Sequence, residues 1–218
     1  MTAARWTGLA VAVLAAAVYV NAAANGFALD DEFIIVANER VHGIDRIPRA
    51  VPEPYWPGAP GDIGLYRPLT AASFAVEWEL WGENPVPFHV TNIALHVVAT
   101  LLVFAILAGL VGVPGAGIGA ALFAVHPVHV EAVANTVGRG ELLAAVLVLA
   151  AALLYLRMEL QSRRRLWGAA VLLAGAYFLG LAAKEIAVTL PGLLLLLEAA
   201  RGDPNGEARE DVGPSSMA

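Results

Sequence analysis

Separated apolar runs dominate this sequence, and they restrict the fold more than any other feature. From about Val90 to Val111 the chain carries no Asp, Glu, Lys or Arg. Such a run reads as a membrane span, because about 20 apolar residues in a helix cross the hydrocarbon core. Lipid offers no partner for backbone N–H and C=O groups, so spans of this kind are helical. The sequence therefore predicts an all-α polytopic membrane protein. Composition agrees: 59% of residues are hydrophobic and only 15% charged, with a mean hydropathy of +0.68, well beyond an ordinary soluble domain. Cysteine is absent, which excludes disulfides, thiolate catalysis and thiolate metal sites.

The predicted spans cover roughly residues 6–28, 90–111, 116–134, 142–156, 166–183 and 186–200. A large outer loop, 29–89, separates the first two, and 202–218 reads as a disordered cytoplasmic tail. The first run could instead be a signal peptide, with Asn21-Ala22-Ala23-Ala24 supplying small residues for cleavage. Its continuation through Phe27 and Leu29, and the spans that follow, favour a retained signal anchor. Within the loop, proline recurs at Pro48, Pro52, Pro54, Pro57 and Pro60. Two loop segments look helical. Asp31 to about Val41 opens with acids that suit a helix amino end, and the segment after Tyr66-Arg67-Pro68 places Phe74, Trp78 and Trp81 at helical spacing. The latter, with Glu77, Glu79 and Glu83, reads as a helix lying on the membrane surface.

Basic residues in short loops favour the cytoplasmic side. About six spans put Arg5, Arg157, Arg163, Arg164, Arg165 and Arg201 all inside. The opposite face then collects Asp30, Asp31, Glu32, Arg67, His89, His126, His129, Glu131, Arg139, Glu141, Lys184 and Glu185. The second, fourth and sixth spans also begin there, aiming helix amino ends toward an anion such as a phosphate.

Each motif has a plain reading beside a chemical one. Asp30-Asp31-Glu32 either complements a helix dipole or supplies a general base. His126 and His129, three apart with Glu131 close by, invite a metal reading, but no third ligand is specified and substrate contact is the default. Arg139 in Gly138-Arg139-Gly140-Glu141 either snorkels or grips a lipid phosphate. Arg67 shares that ambiguity. Lys184 and Glu185 either neutralise each other or contribute to an anion site. His89, Asn92 and His96 share one helix face, lining a groove or packing between helices.

Several of these motifs occur in one order: Phe27-Ala28-Leu29-Asp30-Asp31, Tyr66-Arg67-Pro68-Leu69-Thr70, Phe88-His89-Val90-Thr91-Asn92 with Leu95-His96, Leu122 to Val133, Val137-Gly138-Arg139-Gly140-Glu141-Leu142-Leu143, and Lys184-Glu185. From Asn25 to about Leu190 the series resembles the membrane portion of the transmembrane and tetratricopeptide repeat-containing (TMTC) protein O-mannosyltransferases. That resemblance implies a GT-C glycosyltransferase fold and a polyprenyl-phosphate sugar donor, with mannose as the sugar and a Ser or Thr hydroxyl of a protein as acceptor. It implies an inverting displacement on the lumenal or periplasmic face, with catalysis assigned to Asp30 and Asp31, and less firmly to Glu32. The donor would be contacted by Arg67, His89, His126, His129, Glu131, Arg139, Glu141, Lys184 and Glu185, its lipid phosphate held by arginine, lysine and helix amino ends. No metal and no further cofactor is implied, since basic side chains suit a phosphate monoester leaving group.

Two departures from the resemblance matter. The chain has fewer spans than the superfamily, and its tail shows no helical-pair repeat. A fragment, or a portion needing a partner chain for the missing helices, is the expectation. A non-catalytic protein binding polyprenyl phosphate or a partner is the alternative, and a transporter built on Lys184 and Glu185 is a second. Ala and Gly richness leans toward a bacterial plasma membrane, with the endoplasmic reticulum membrane as the eukaryotic equivalent.

Overall fold

The computed structural model describes residues 2–57, 65–158 and 163–200. Among these, regular structure is helical throughout. Helix α1 (Thr2–Tyr19) continues as a 3₁₀ turn to Ala24. The outer loop holds short turns, α2 (Ile47–Ala50) and α3 (Pro68–Trp81). Then come α4 (Pro85–Val125), α5 (Val130–Ala134), α6 (Arg139–Arg157), α7 (Arg163–Ala183) and α8 (Leu190–Ala200). Three apolar stretches, Ala3–Ala24, Pro85–Val125 and Thr136–Arg157, are long enough to cross a membrane, and Trp167–Ala183 is apolar but shorter. The chain is an all-α membrane protein.

Helix α4 folds back on itself. Gly112 adopts φ 76°, ψ 169°, a left-handed backbone that only glycine takes at little cost. Pro114 then starts the second arm, where its missing N–H has no partner to lose. The arms pack antiparallel: Phe104 and Leu107 meet Ala116 and Ala120, and His96 Nε2 lies 3.1 Å from the Ala124 carbonyl oxygen. Helix α1 packs against the hairpin through Val11. At the far end Ile106, Ala152 and Leu197 join α4, α6 and α8.

Several predicted boundaries shift. Asp31 to Val41 forms no single helix but a π turn, Glu32–Val36, and a 3₁₀ turn, Glu39–Val41. Asn38 breaks the helix locally, donating to the Ile34 carbonyl while accepting from the Arg40 N–H. The predicted span 116–134 ends at Val125, since His126 precedes Pro127 and is pushed to an extended backbone. Residues 185–189 form a 3₁₀ turn before α8. Helix α3 buries Phe74 and, among its acids, Glu77, whereas Glu79 and, just past the helix, Glu83 are exposed together with Leu80 and Trp81. Arg201, the tail, Pro60 and the side chains of Arg163, Arg164 and Arg165 lie outside the described residues.

Candidate functional site

One end of the bundle gathers the polar motifs. The chain leaves α1 through Asn25, and Leu29 sits at φ 52°, a left-handed backbone uncommon for a branched residue. That turn sets Asp31 inward and leaves Asp30 and Glu32 exposed. Asp31 is 2% exposed. Its Oδ2 accepts from the Ala28 N–H at 3.1 Å and its Oδ1 from the Val137 N–H at 2.9 Å. Burial pushes the Asp31 carboxyl above the usual carboxylate range, and the two N–H donors and nearby His89 offset part of that rise. A cleft of about 630 Å³ borders this carboxylate, walled by Phe27, Ala28, Glu131 and Asn135. Glu131 is exposed on the cleft's far wall.

Gly138 makes the Asp31 contact possible. A Cβ at this position would fall 2.5 Å from the Ala132 carbonyl oxygen and 2.7 Å from that of Glu131, both fixed backbone atoms. Only glycine lets the 3₁₀ turn Thr136–Gly138 lie so close to α5 and present the Val137 N–H.

A second group forms where α3, α6 and α7 meet. Arg67 grips Glu185 through both ends of its fork, Nε to Oε2 at 3.1 Å and Nη2 to Oε1 at 2.6 Å. This contact holds the Glu185 carboxyl below its ordinary range. Lys184 pairs with Glu141 in the first turn of α6, where an acid also complements the helix dipole. The Thr70 hydroxyl donates to the Ala183 carbonyl at 2.8 Å, and Gly140 lies against the same carbonyl. Lys184 and Glu185 therefore do not simply neutralise each other. Each has a partner on another element.

Arg139 departs from its predicted place. It is 1% exposed, and its donors go to Glu77, to Asn92 Oδ1 at 3.0 Å and to the Phe88 carbonyl at 2.8 Å. Phe74 and Phe88 flank the guanidinium, with ring centroids 4.8 and 5.6 Å away. Neither a snorkelling nor a headgroup-facing arginine fits those contacts, because each of its three side-chain nitrogens is turned to a protein acceptor in a buried site on α3 and α4. Glu77 also accepts from the Thr91 hydroxyl, and Asn92 donates to the Asn135 and Thr136 carbonyls. His89, Asn92 and His96 thus pack between helices.

The remaining histidines separate. His126 is exposed and its Nδ1 accepts from the Val128 N–H, capping the next turn. His129 is half-buried against Phe123, ring centroids 4.3 Å apart. With His96, Glu141, Ala144, Val148 and Ile186 it lines a largely apolar groove of about 330 Å³. Among the described residues no three His, Asp or Glu side chains gather in a way that could hold a metal ion.

Curated relatives align across most of the chain. It is 39% identical to "Protein O-mannosyl-transferase Tmtc1" of Drosophila melanogaster over 184 residues, covering 81% of this chain and 21% of that protein. Against Tmtc2 of the same species the identity is 39% over 205 residues, 87% of this chain and 21% of the relative. Human TMTC3 is 30% identical over 186 residues, 84% of this chain and 20% of the relative. The chain belongs to the TMTC family. It spans about a fifth of the length of these curated relatives. No family model and no solved structure matches it.

In this TMTC-family chain, motifs far apart in sequence converge at one end of the bundle. Asp31 meets Val137, Arg67 meets Glu185, and Glu141 meets Lys184. Two contributors are not singled out in the sequence. Glu77 is one acid among several on α3, and Tyr55 sits in the proline-rich loop, yet both are buried within this end. A helical-face count could have found Glu77, three residues from Phe74 on the packed side. No pattern singles out Tyr55.

Proposed function

We propose that this chain is the donor- and acceptor-facing portion of a membrane glycosyltransferase that moves a sugar, by family relationship mannose, from a polyprenyl phosphate to a protein Ser or Thr hydroxyl. The observation that carries this reading is the Asp31 carboxylate, fixed by two backbone N–H groups at the edge of a cleft. A base held at two points loses little freedom on meeting a hydroxyl, and its raised pKa strengthens it. Asp31 takes the hydroxyl proton while that oxygen attacks the anomeric carbon. The carbon–oxygen bond to phosphate breaks with inversion, and the carrier phosphate leaves with the bonding pair. Asp30 and Glu32, exposed on either side of Asp31 in the chain, are assigned to the acceptor side in this reading.

Arg67, Lys184 and the α6 amino end supply positive charge for the leaving phosphate. The apolar groove beside His129 and Glu141 suits the first isoprene units of the carrier. Arg5 and Arg157 lie at the ends of α1 and α6 remote from this cluster, which supports an outer, periplasmic or lumenal, active face.

A non-catalytic carrier-binding protein is the second reading: Arg67 and Lys184 each already bear a carboxylate partner, which leaves less free charge to stabilise a departing phosphate than to contact a resting one. Transfer of radiolabelled mannose from polyprenyl-phosphate mannose to an acceptor peptide, by the intact chain in detergent, decides between them. Transfer abolished by Asp31→Asn supports the enzyme. Carrier binding with no transfer supports the second reading.

A further inference from the structure

Among the described residues four buried side-chain polar atoms have no hydrogen-bond partner: the Tyr55 and Tyr19 hydroxyls, Thr136 Oγ1 and His89 Nδ1. Tyr55 is 5% exposed, packed with Ile34, Ile35, Phe74 and Phe88. Its backbone N–H donates to the Leu65 carbonyl at 2.8 Å. The Arg67 guanidinium carbon lies 5.1 Å from the Tyr55 ring centroid. His89 is 1% exposed, and its Nε2 faces the Gly26 carbonyl oxygen at a long 3.4 Å. A carbonyl only accepts, so in that contact Nε2 is the donor.

An unpartnered buried hydroxyl is costly, and folded proteins rarely leave one without a use. Tyr55 keeps company that indicates the use. The phenol lies within the electrostatic reach of Arg67, Asp30 and Asp31, and Phe27 packs on its cluster while also walling the cleft beside Asp31. Burial holds the phenol protonated at any physiological pH, so it remains a donor. Phenylalanine would satisfy every packing contact the ring makes.

We infer that the Tyr55 hydroxyl is a further binding group of this site, kept free by the fold to donate a hydrogen bond to an oxygen of the lipid-linked sugar donor. The inference rests on the donor proposed above and adds a residue from the proline-rich loop to its contacts. The oxygen belongs either to the phosphate, next to Arg67, or to the sugar. Both are acceptors of the same kind, and the two are separable by experiment.

The test uses the full chain in detergent with two probes, polyprenyl-phosphate mannose and the bare polyprenyl phosphate of equal chain length. Wild type and Tyr55→Phe are compared for affinity to each probe and for thermal midpoint. The expected result is about tenfold weaker binding in the variant, one hydrogen bond's worth, with a midpoint unchanged or higher, because a buried orphan hydroxyl has been removed. Weakening toward both probes assigns the bond to phosphate, and weakening toward the mannose-bearing probe alone assigns it to the sugar. Equal affinity in variant and wild type overturns the inference and leaves the donor proposal standing. A lowered midpoint overturns it too, since the hydroxyl would then be serving the fold through a bound water. A wild-type chain that binds neither probe sinks both.

Discussion

Asp31 Oδ1 accepts a hydrogen bond of 2.9 Å from the backbone N–H of Val137, 106 positions further along the chain. The bond joins the acidic turn after the first helix to the turn that starts α6. Its acceptor is buried and its donor is backbone, so solvent cannot replace either partner cheaply. The pH dependence of the site follows from it. The folded-state pKa of Asp31 is raised, so its stabilising contribution is full below the unfolded value and falls away as pH rises through the folded one. A base must be ionised, so transfer falls as pH drops through that raised value. The acid limb of the rate profile is expected above the ordinary carboxylate range. A limb at ordinary carboxylate pH, or full transfer by Asp31→Asn, would show that another group is the base.

Gly138→Ala should disturb the same bond without touching either partner. The added methyl collides with the Ala132 carbonyl at 2.5 Å, and backbone cannot swing aside. A loss of about 1–3 kcal/mol in stability is expected, with a larger fall in transfer as the Val137 N–H is displaced. A variant with wild-type thermal midpoint would mean that the turn relaxes freely.

The Glu77–Arg139 pair tests whether α3 is part of the bundle. Removing one partner strands the other in a buried site, a penalty of about 3–5 kcal/mol. Glu77→Leu and Arg139→Met should each be severe alone. Together they should cost markedly less than their sum in a double-mutant cycle of thermal or denaturant unfolding. Simple additivity would mean that the two side chains do not meet.

Glu185→Gln has a different expected signature. Glu185 is exposed, so its contribution to stability is small, within about 1 kcal/mol. The contribution is present above the unfolded carboxyl value and lost as pH falls through the lowered folded one. The useful consequence is for Arg67, which loses its competing anion. Affinity for bare polyprenyl phosphate should rise several-fold, and Arg67→Gln should lower it. Unchanged affinity in both variants would remove Arg67 from the phosphate contacts.

Much of the fold was legible because lipid imposes one rule on every span. The all-α class and the long apolar runs follow from hydropathy, and the meeting of Arg67 with Glu185 and of Glu141 with Lys184 joins residues that arginine placement had assigned to one face. Pairing was not legible. Arg139 and Arg67 look alike in sequence, each an arginine at the start of a helix, yet one is sealed beside Glu77 and the other reaches Glu185 near solvent. What separates them is which acid lies across the helix interface, 62 positions away in one case and 118 in the other. A single sequence records neither distance. Tyr55 was invisible for a related reason, since a hydroxyl's lack of partners is a property of the folded surroundings.

The bond from the Thr70 hydroxyl to the Ala183 carbonyl ties the outer loop to the last turn of α7. During synthesis the amino-terminal part emerges first. The acidic turn is therefore made long before Val137, Gly140 and Ala183 exist to hold it. The Asp31 carboxylate gains its second donor, the Val137 N–H, only when the turn before α6 is made, and the loop helix gains its anchor only when α7 is complete. For the transferase proposed above, the order of membrane insertion would act as a built-in delay on the chemistry.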